Sequence, residues 1–157
     1  MIRRRGRPCW LWGGRASSTR SVYLLALGAT SIATAFDLKS RRIPNAIPGV
    51  LLLCVSVLTA LGRHPLGWTQ ALYGFGAAIL ITLPLFAKGW CGGGDTKLAM
   101  ALGATLGLLP FLVFFAAMSL FGGFLALRAK RAGETEIAYA PAMLLGLLLL
   151  LPLQWAA

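Results

Sequence analysis

PFLVFFAAMSLFGGFLAL, residues 110–127, decides the class of fold, because this stretch is mostly apolar and carries no charge. An uncharged apolar run of about 18 residues can cross the hydrocarbon core of a bilayer. Five further apolar runs follow the same pattern. They cover residues 21–36, 46–62, 69–87, 97–108 and 138–156. Together the runs predict an all-α, polytopic transmembrane bundle of about six helices.

The composition supports a membrane protein. Of the 157 residues, 58% are hydrophobic and 12% are charged, which is more apolar surface than a soluble domain of this size buries. The net charge of +11 is attributed to loops and tails beside an anionic bilayer. No basic stripe is interleaved with stacking aromatics, so nucleic acid is not an expected partner. Residues 1–20 are predicted to be a basic, disordered segment, and residues 21–157 the transmembrane domain.

Acidic residues are scarce, and two of them lie at the ends of apolar runs. Asp37 follows the first run, and Asp95 precedes the fourth. Acidic side chains at membrane depth are costly and are functional candidates by default. Two apolar runs separate these aspartates, so the chain crosses the membrane twice and returns to the same face. The remaining acidic residues, Glu134 and Glu136, lie in a loop rich in basic residues.

The distribution of basic residues predicts which face this is. Only Arg63 lies in the connections on the opposite side. The positive-inside rule therefore places both aspartates at the cytoplasmic edge, although the arginines of residues 1–20 would then lie outside. The connections on the aspartate side contain Lys39, Arg41, Arg42, Lys88, Lys97, Arg128, Lys130 and Arg131.

Paired carboxylates suggest a specific chemistry. Two that lie close together cannot both ionise easily, so one can act as a base on water while the other donates a proton to a carbonyl oxygen. This chemistry needs no metal and no cofactor, and the three lone cysteines form no zinc-binding pattern. Asp37 lies near a helix C-terminus, where the macrodipole disfavours an anion, which argues against a purely structural role.

The local sequence leaves alternatives open. Asp95 follows three glycines and precedes an apolar run, which fits a helix N-cap as well as it fits catalysis. The glycines tilt the balance, because three in a row cost conformational entropy and suggest a closely packed backbone. Two buried carboxylates could also relay protons or bind a cation in a transporter. A third possibility is a non-catalytic subunit of a pilus or secretion assembly.

Three motifs in this chain resemble those of the prepilin peptidases, the type IV leader peptidase family. DLKSRRIPN, residues 37–45, resembles their first-aspartate motif, and GGGDTKL, residues 92–98, is similar to their GxGDxKL signature. IAYAPA, residues 137–142, resembles their C-terminal motif, except that Ala138 replaces the usual proline. The motifs occur in the family's order and cover most of residues 21–157.

This resemblance implies an aspartic endopeptidase in the bacterial inner membrane. Such enzymes remove short basic leaders from prepilins and pseudopilins at the cytoplasmic face, without a metal or a cofactor. Carried over by position, Asp37 and Asp95 are the catalytic pair. Gly92 and Gly94 belong to the signature loop, and Lys97 supports it.

The resemblance also limits the prediction. The chain is similar in size to the short members that serve Flp pili. It lacks the CxxC…CxxC region of the larger members, so methyltransferase activity is not predicted. Proteases of the presenilin and signal-peptide-peptidase kind share GxGD but have Tyr-Asp at the first site, where this chain has Phe36-Asp37.

Overall fold

The computed structural model describes residues 16–40, 43–132 and 140–155, and within these ranges it contains helices and no strands. The six helices are α1 (Ala16–Ser40), α2 (Ala46–Ala60), α3 (Gly67–Ala87), α4 (Gly93–Leu106), α5 (Leu108–Ala132) and α6 (Ala140–Trp155). The predicted all-α bundle of about six helices is therefore confirmed. Of the N-terminal segment predicted to be disordered, residues 1–15 lie outside the described residues, and the backbone of residues 16–20 is helical in α1.

Three of the described helices are long and apolar enough to cross a membrane unaided. These spans are Ser21–Ser40 in α1, Gly67–Ala87 in α3 and Leu108–Arg128 in α5. Two shorter apolar segments, Ala46–Ala60 and Ala140–Leu150, accompany them. Large apolar side chains remain exposed on the outer surface, as expected when the surrounding solvent is lipid. The length and composition of these helices fit a polytopic membrane protein.

Helix α4 is the shortest of the six and lies at the centre of the bundle. It packs against α1, α2, α3 and α5. From Thr96 to Leu106, every residue except Lys97 and Met100 is buried. Because other helices rather than lipid surround α4, its 14 residues do not need to match the thickness of the hydrocarbon core.

Helices α3 and α4 run antiparallel at very short range. A Cβ atom added to Gly103 of α4 would lie 2.8 Å from the Cβ of Ala78 in α3, and nearer still to the carbonyl oxygen of Gly74. Beyond α4, Gly107 has φ +77°, a left-handed conformation that favours glycine. This glycine lets α5 begin directly at Leu108. Small residues thus bring the backbones of α3 and α4 into contact, as is common in membrane bundles.

One helix begins earlier than expected, and another continues through a proline. Helix α4 begins at Gly93 rather than at residue 97, so two glycines of the triplet belong to its first turn. Helix α3 continues through Pro84 and ends at Ala87. A proline near the end of a membrane helix is tolerated, because neighbouring groups compensate for the backbone hydrogen bond that it removes.

Candidate active site

Asp37 projects from the last turn of α1 into the bundle and is only 7% exposed. Its Oδ2 accepts a hydrogen bond of 3.1 Å from the backbone N–H of Ala140, the first residue of α6. The positive end of the α6 dipole therefore faces this carboxylate. The sequence indicated only the unfavourable end of α1, whereas the structure adds the favourable end of α6. Asp37 thus has a structural contact as well as its predicted role.

Asp95 belongs to the first turn of α4, outside the three long spans. The N-cap of α4 is Gly92, and no side chain makes a capping hydrogen bond there. Asp95 is three residues further along, so the alternative that it is the N-cap residue is not what the structure shows. Its Oδ1 is buried and has no hydrogen-bond partner among the described residues. A buried carboxylate oxygen without a partner is costly and is a feature of functional sites.

The two aspartates interact electrostatically. The pKa of Asp95 is raised to about 6, chiefly by burial and also by the negative charge of Asp37, while a backbone hydrogen bond with Gly92 partly opposes the rise. Burial disfavours the charged form of a carboxyl group, and a nearby like charge does the same. The predicted pair is therefore close enough to interact.

The glycines before Asp95 allow the connection between α1 and α2 to approach the site. A Cβ atom on Gly94 would lie 2.9 Å from the Cβ of Ile43, and one on Gly92 would lie 3.0 Å from Oδ2 of Asp95. Real Cβ contacts are longer, so a side chain at either position would displace its neighbour. The close-packed backbone expected from the glycine triplet is present. Gly94 packs against Ile43, which belongs to the RRIPN sequence.

Lys97 connects the first part of α4 to the α1–α2 connection through an exposed hydrogen bond. Its Nζ donates a hydrogen bond of 3.0 Å to Oδ1 of Asn45, which lies just before α2. The contact is exposed, and exposed polar pairs contribute little to stability. Lys97 therefore helps to hold the α1–α2 connection against the first turn of α4, which is consistent with the supporting position predicted for it.

Replacing Lys97 by methionine is expected to reduce peptidase activity by less than about tenfold, because only one exposed hydrogen bond is lost. Rates should be compared with those of Lys88→Met. Lys88 lies on the preceding turn, with its Nζ 5.1 Å from the ring centre of Trp90. A loss for Lys97→Met as large as for substitution of an aspartate would mean that Lys97 contacts the reacting groups.

Two contributors to the site were missed from the sequence. Ala140 was quoted only as part of the C-terminal motif, of which residues 137–139 lie outside the described residues. Thr34 is buried on α1, and its hydroxyl lies 3.1 Å from the carbonyl oxygen of Ala140. The available signal was a polar spacing, since Thr30, Thr34 and Asp37 recur at intervals that share one helical face.

The fold and the site together define a polytopic helical membrane protein with paired carboxylates at one end of its bundle. The sequence profile of the type IV leader peptidase family matches residues 24–127. Since the match covers more than half of the chain, the protein belongs to the type IV leader peptidase family, a family of proteases. No curated protein and no solved structure matches the chain.

Proposed function

We propose that this protein is an aspartic endopeptidase of the inner membrane that removes the basic leader from type IV or Flp-type prepilins or pseudopilins. The observation that supports it best is the placement of Asp37 and Asp95. They come from different helices, lie at one end of the bundle, and are close enough for the charge of one to raise the pKa of the other. Family membership supports leader peptidase activity, and the carboxylate pair supports the aspartic mechanism.

The proposed reaction uses only the two carboxyl groups and water. The ionised carboxylate accepts a proton from water as the water oxygen attacks the carbonyl carbon of the scissile peptide. The protonated carboxyl group donates its proton to the carbonyl oxygen, which gives a tetrahedral diol. Proton transfer to the peptide nitrogen then allows the C–N bond to break, which releases a new carboxyl terminus and a new amino terminus.

The cytoplasmic face is the proposed side of cleavage. Lys39, Lys88 and Lys97 lie at the same end of the bundle as the aspartates, whereas the connection between α2 and α3 contains Arg63 as its one Lys or Arg. This asymmetry supports a cytoplasmic position for the site. The site would then meet the substrate's leader on the side where the leader is made.

The proposal predicts that membranes containing the protein shorten an added prepilin by its basic leader, and that neither Asp37→Ala nor Asp95→Ala does so. Each carboxyl group is needed for proton transfer, so either change should reduce the rate at least about a hundredfold. Mass spectrometry of the product gives the position of the cut.

Complete cleavage by either alanine variant would rule out the assignment. Absence of cleavage by the wild type, with pilus assembly retained after Asp95→Asn, would instead favour the non-catalytic assembly subunit. Proton flux in liposomes that disappears with Asp→Asn, without any cleavage, would favour a transporter.

A further inference from the structure

The first residue of α6 is held at both its N–H and its carbonyl group by side chains of α1. The N–H of Ala140 donates to Oδ2 of Asp37 at 3.1 Å, and the carbonyl oxygen of Ala140 lies 3.1 Å from the hydroxyl of Thr34. All three residues are buried, with Ala140 at 0% exposure. Thr34 and Asp37 are three positions apart, so they share one face of α1. The contact between α1 and α6 therefore includes the carboxylate of Asp37 itself.

The start of α6 makes this hydrogen bond specific. Pro141 follows Ala140 and has no N–H group, so it cannot take the place of Ala140 as the donor to Asp37. The Thr34 hydroxyl has one proton and lies within hydrogen-bond distance of two carbonyl oxygens. They are the carbonyl oxygen of Thr30, at 2.8 Å, and that of Ala140, at 3.1 Å. Only the second of these bonds fixes the orientation of Ala140.

The two carboxyl groups consequently differ in their surroundings. Asp37 accepts a hydrogen bond of 3.1 Å from the backbone N–H of Ala140, which fixes the orientation of its carboxyl group. Asp95 has a buried Oδ1 without a partner among the described residues. A donor from α6 therefore orients Asp37, whereas no described donor orients Oδ1 of Asp95.

We propose that Thr34 is a positioning residue which, through the backbone of Ala140, holds the carboxyl group of Asp37 in the orientation that proton transfer at the carboxylate pair requires. This assignment rests on the proposed peptidase function. Thr34 touches neither substrate nor water in the reaction. It acts by keeping the N–H of Ala140 aimed at Oδ2, so that the Asp37 carboxyl group keeps the orientation needed for proton transfer.

The described helices bring few charged side chains near Asp37. Of the helices that pack against α1, α4 carries Asp95 and Lys97, while α2 and the described part of α6 carry no charged residue. Lys39 lies in the last turn of α1 itself. A neutral substitution at Thr34 changes none of these charges.

The test compares Thr34→Val with Thr30→Val in prepilin cleavage by the full-length protein. Thr30 is a matched control, because it is buried on the same helix and bonds to the carbonyl of Ala26 within α1. We expect Thr34→Val to lower kcat roughly tenfold with KM little changed. Thr30→Val should keep the wild-type values, and Thr34→Ser, which retains the hydroxyl, should restore them.

Equal kcat and KM values for Thr34→Val and Thr30→Val, with active wild-type protein, would overturn the positioning role alone. Absence of cleavage by the wild type would overturn the peptidase function and this assignment with it. If Thr34→Val does not fold, Thr34→Cys replaces it, since a thiol is a weak donor of similar size. Activity of Thr34→Cys equal to that of Thr34→Ser would then contradict the proposal.

Discussion

An Asp95→Asn variant is expected to lose peptidase activity by about a thousandfold and, at the same time, to gain stability at neutral pH. The loss follows from removing one of the two groups that transfer protons. The gain follows from the burial of the carboxyl group, which raises the pKa of Asp95 to about 6 from its ordinary 3.8. Asparagine does not ionise and therefore avoids this cost.

The gain in stability of Asp95→Asn should increase with pH. Because the pKa of Asp95 is higher in the folded protein than in the unfolded chain, the folded protein binds more protons between pH 3.8 and about 6. The contribution of this carboxyl group is fully present below pH 3.8 and is lost as the pH rises through 6. The difference between the two pKa values corresponds to at most about 3 kcal/mol. The melting temperature of Asp95→Asn should therefore exceed that of the wild type at pH 7.5, and the difference should vanish near pH 4.

Asp37→Ala is the informative control for this experiment, because it should lose activity equally but lose stability as well. Its removal leaves the buried N–H of Ala140 without an acceptor, which costs about 1–3 kcal/mol. Thermal unfolding in detergent and cleavage rate can be measured on the same preparations. A destabilised Asp95→Asn variant at pH 7.5 would show that Asp95 serves mainly to stabilise the start of α4, as a cap does.

The sequence was sufficient to predict that both aspartates lie at the same end of the bundle, because this depends only on the number of apolar runs between them. An even number of apolar runs separates Asp37 from Asp95, and the structure places both at one end of the bundle. The start of α4 was placed too late, at residue 97, because glycine is unfavourable in helices and suggested a loop. In the structure, Gly93 and Gly94 are helical. Position 94 requires glycine, because the neighbouring chain at Ile43 leaves no space for a side chain there.

The contacts around Asp37 could not be predicted in the same way. The hydrogen bond with Ala140 joins residues that are 103 positions apart, and nothing in the local sequence of either residue indicates its partner. The argument from the C-terminus of α1 considered one helix only, whereas Asp37 also faces the N-terminus of α6. The sequence also does not show which glycines lie in close contacts. Gly74 faces the backbone of α4, whereas nothing lies within 4 Å of a Cβ atom added to Gly76.

Gly74→Ala is expected to lower both stability and activity, although it adds a single methyl group. A Cβ atom at this position would lie 2.8 Å from the Cα of Gly107 and closer still to the carbonyl oxygen of Gly103. These are backbone atoms, which cannot rotate away, so α3 and α4 must separate by about 1 Å to restore ordinary contact distances. Overpacking of this kind costs about 1–3 kcal/mol, more than the up to about 1 kcal/mol that alanine gains over glycine in a helix.

The effect on activity follows because α4 carries Asp95. A shift of about 1 Å in a catalytic group can reduce the rate by about a hundredfold, so the loss should exceed what the stability change alone produces. Gly76→Ala is the matched control, since it lies on the same helix and a Cβ atom there meets nothing within 4 Å. Gly76→Ala should melt at or slightly above the wild-type temperature and cleave at the wild-type rate. If Gly74→Ala behaves like Gly76→Ala in both measurements, α3 and α4 do not need their close backbone contact to hold Asp95 in place.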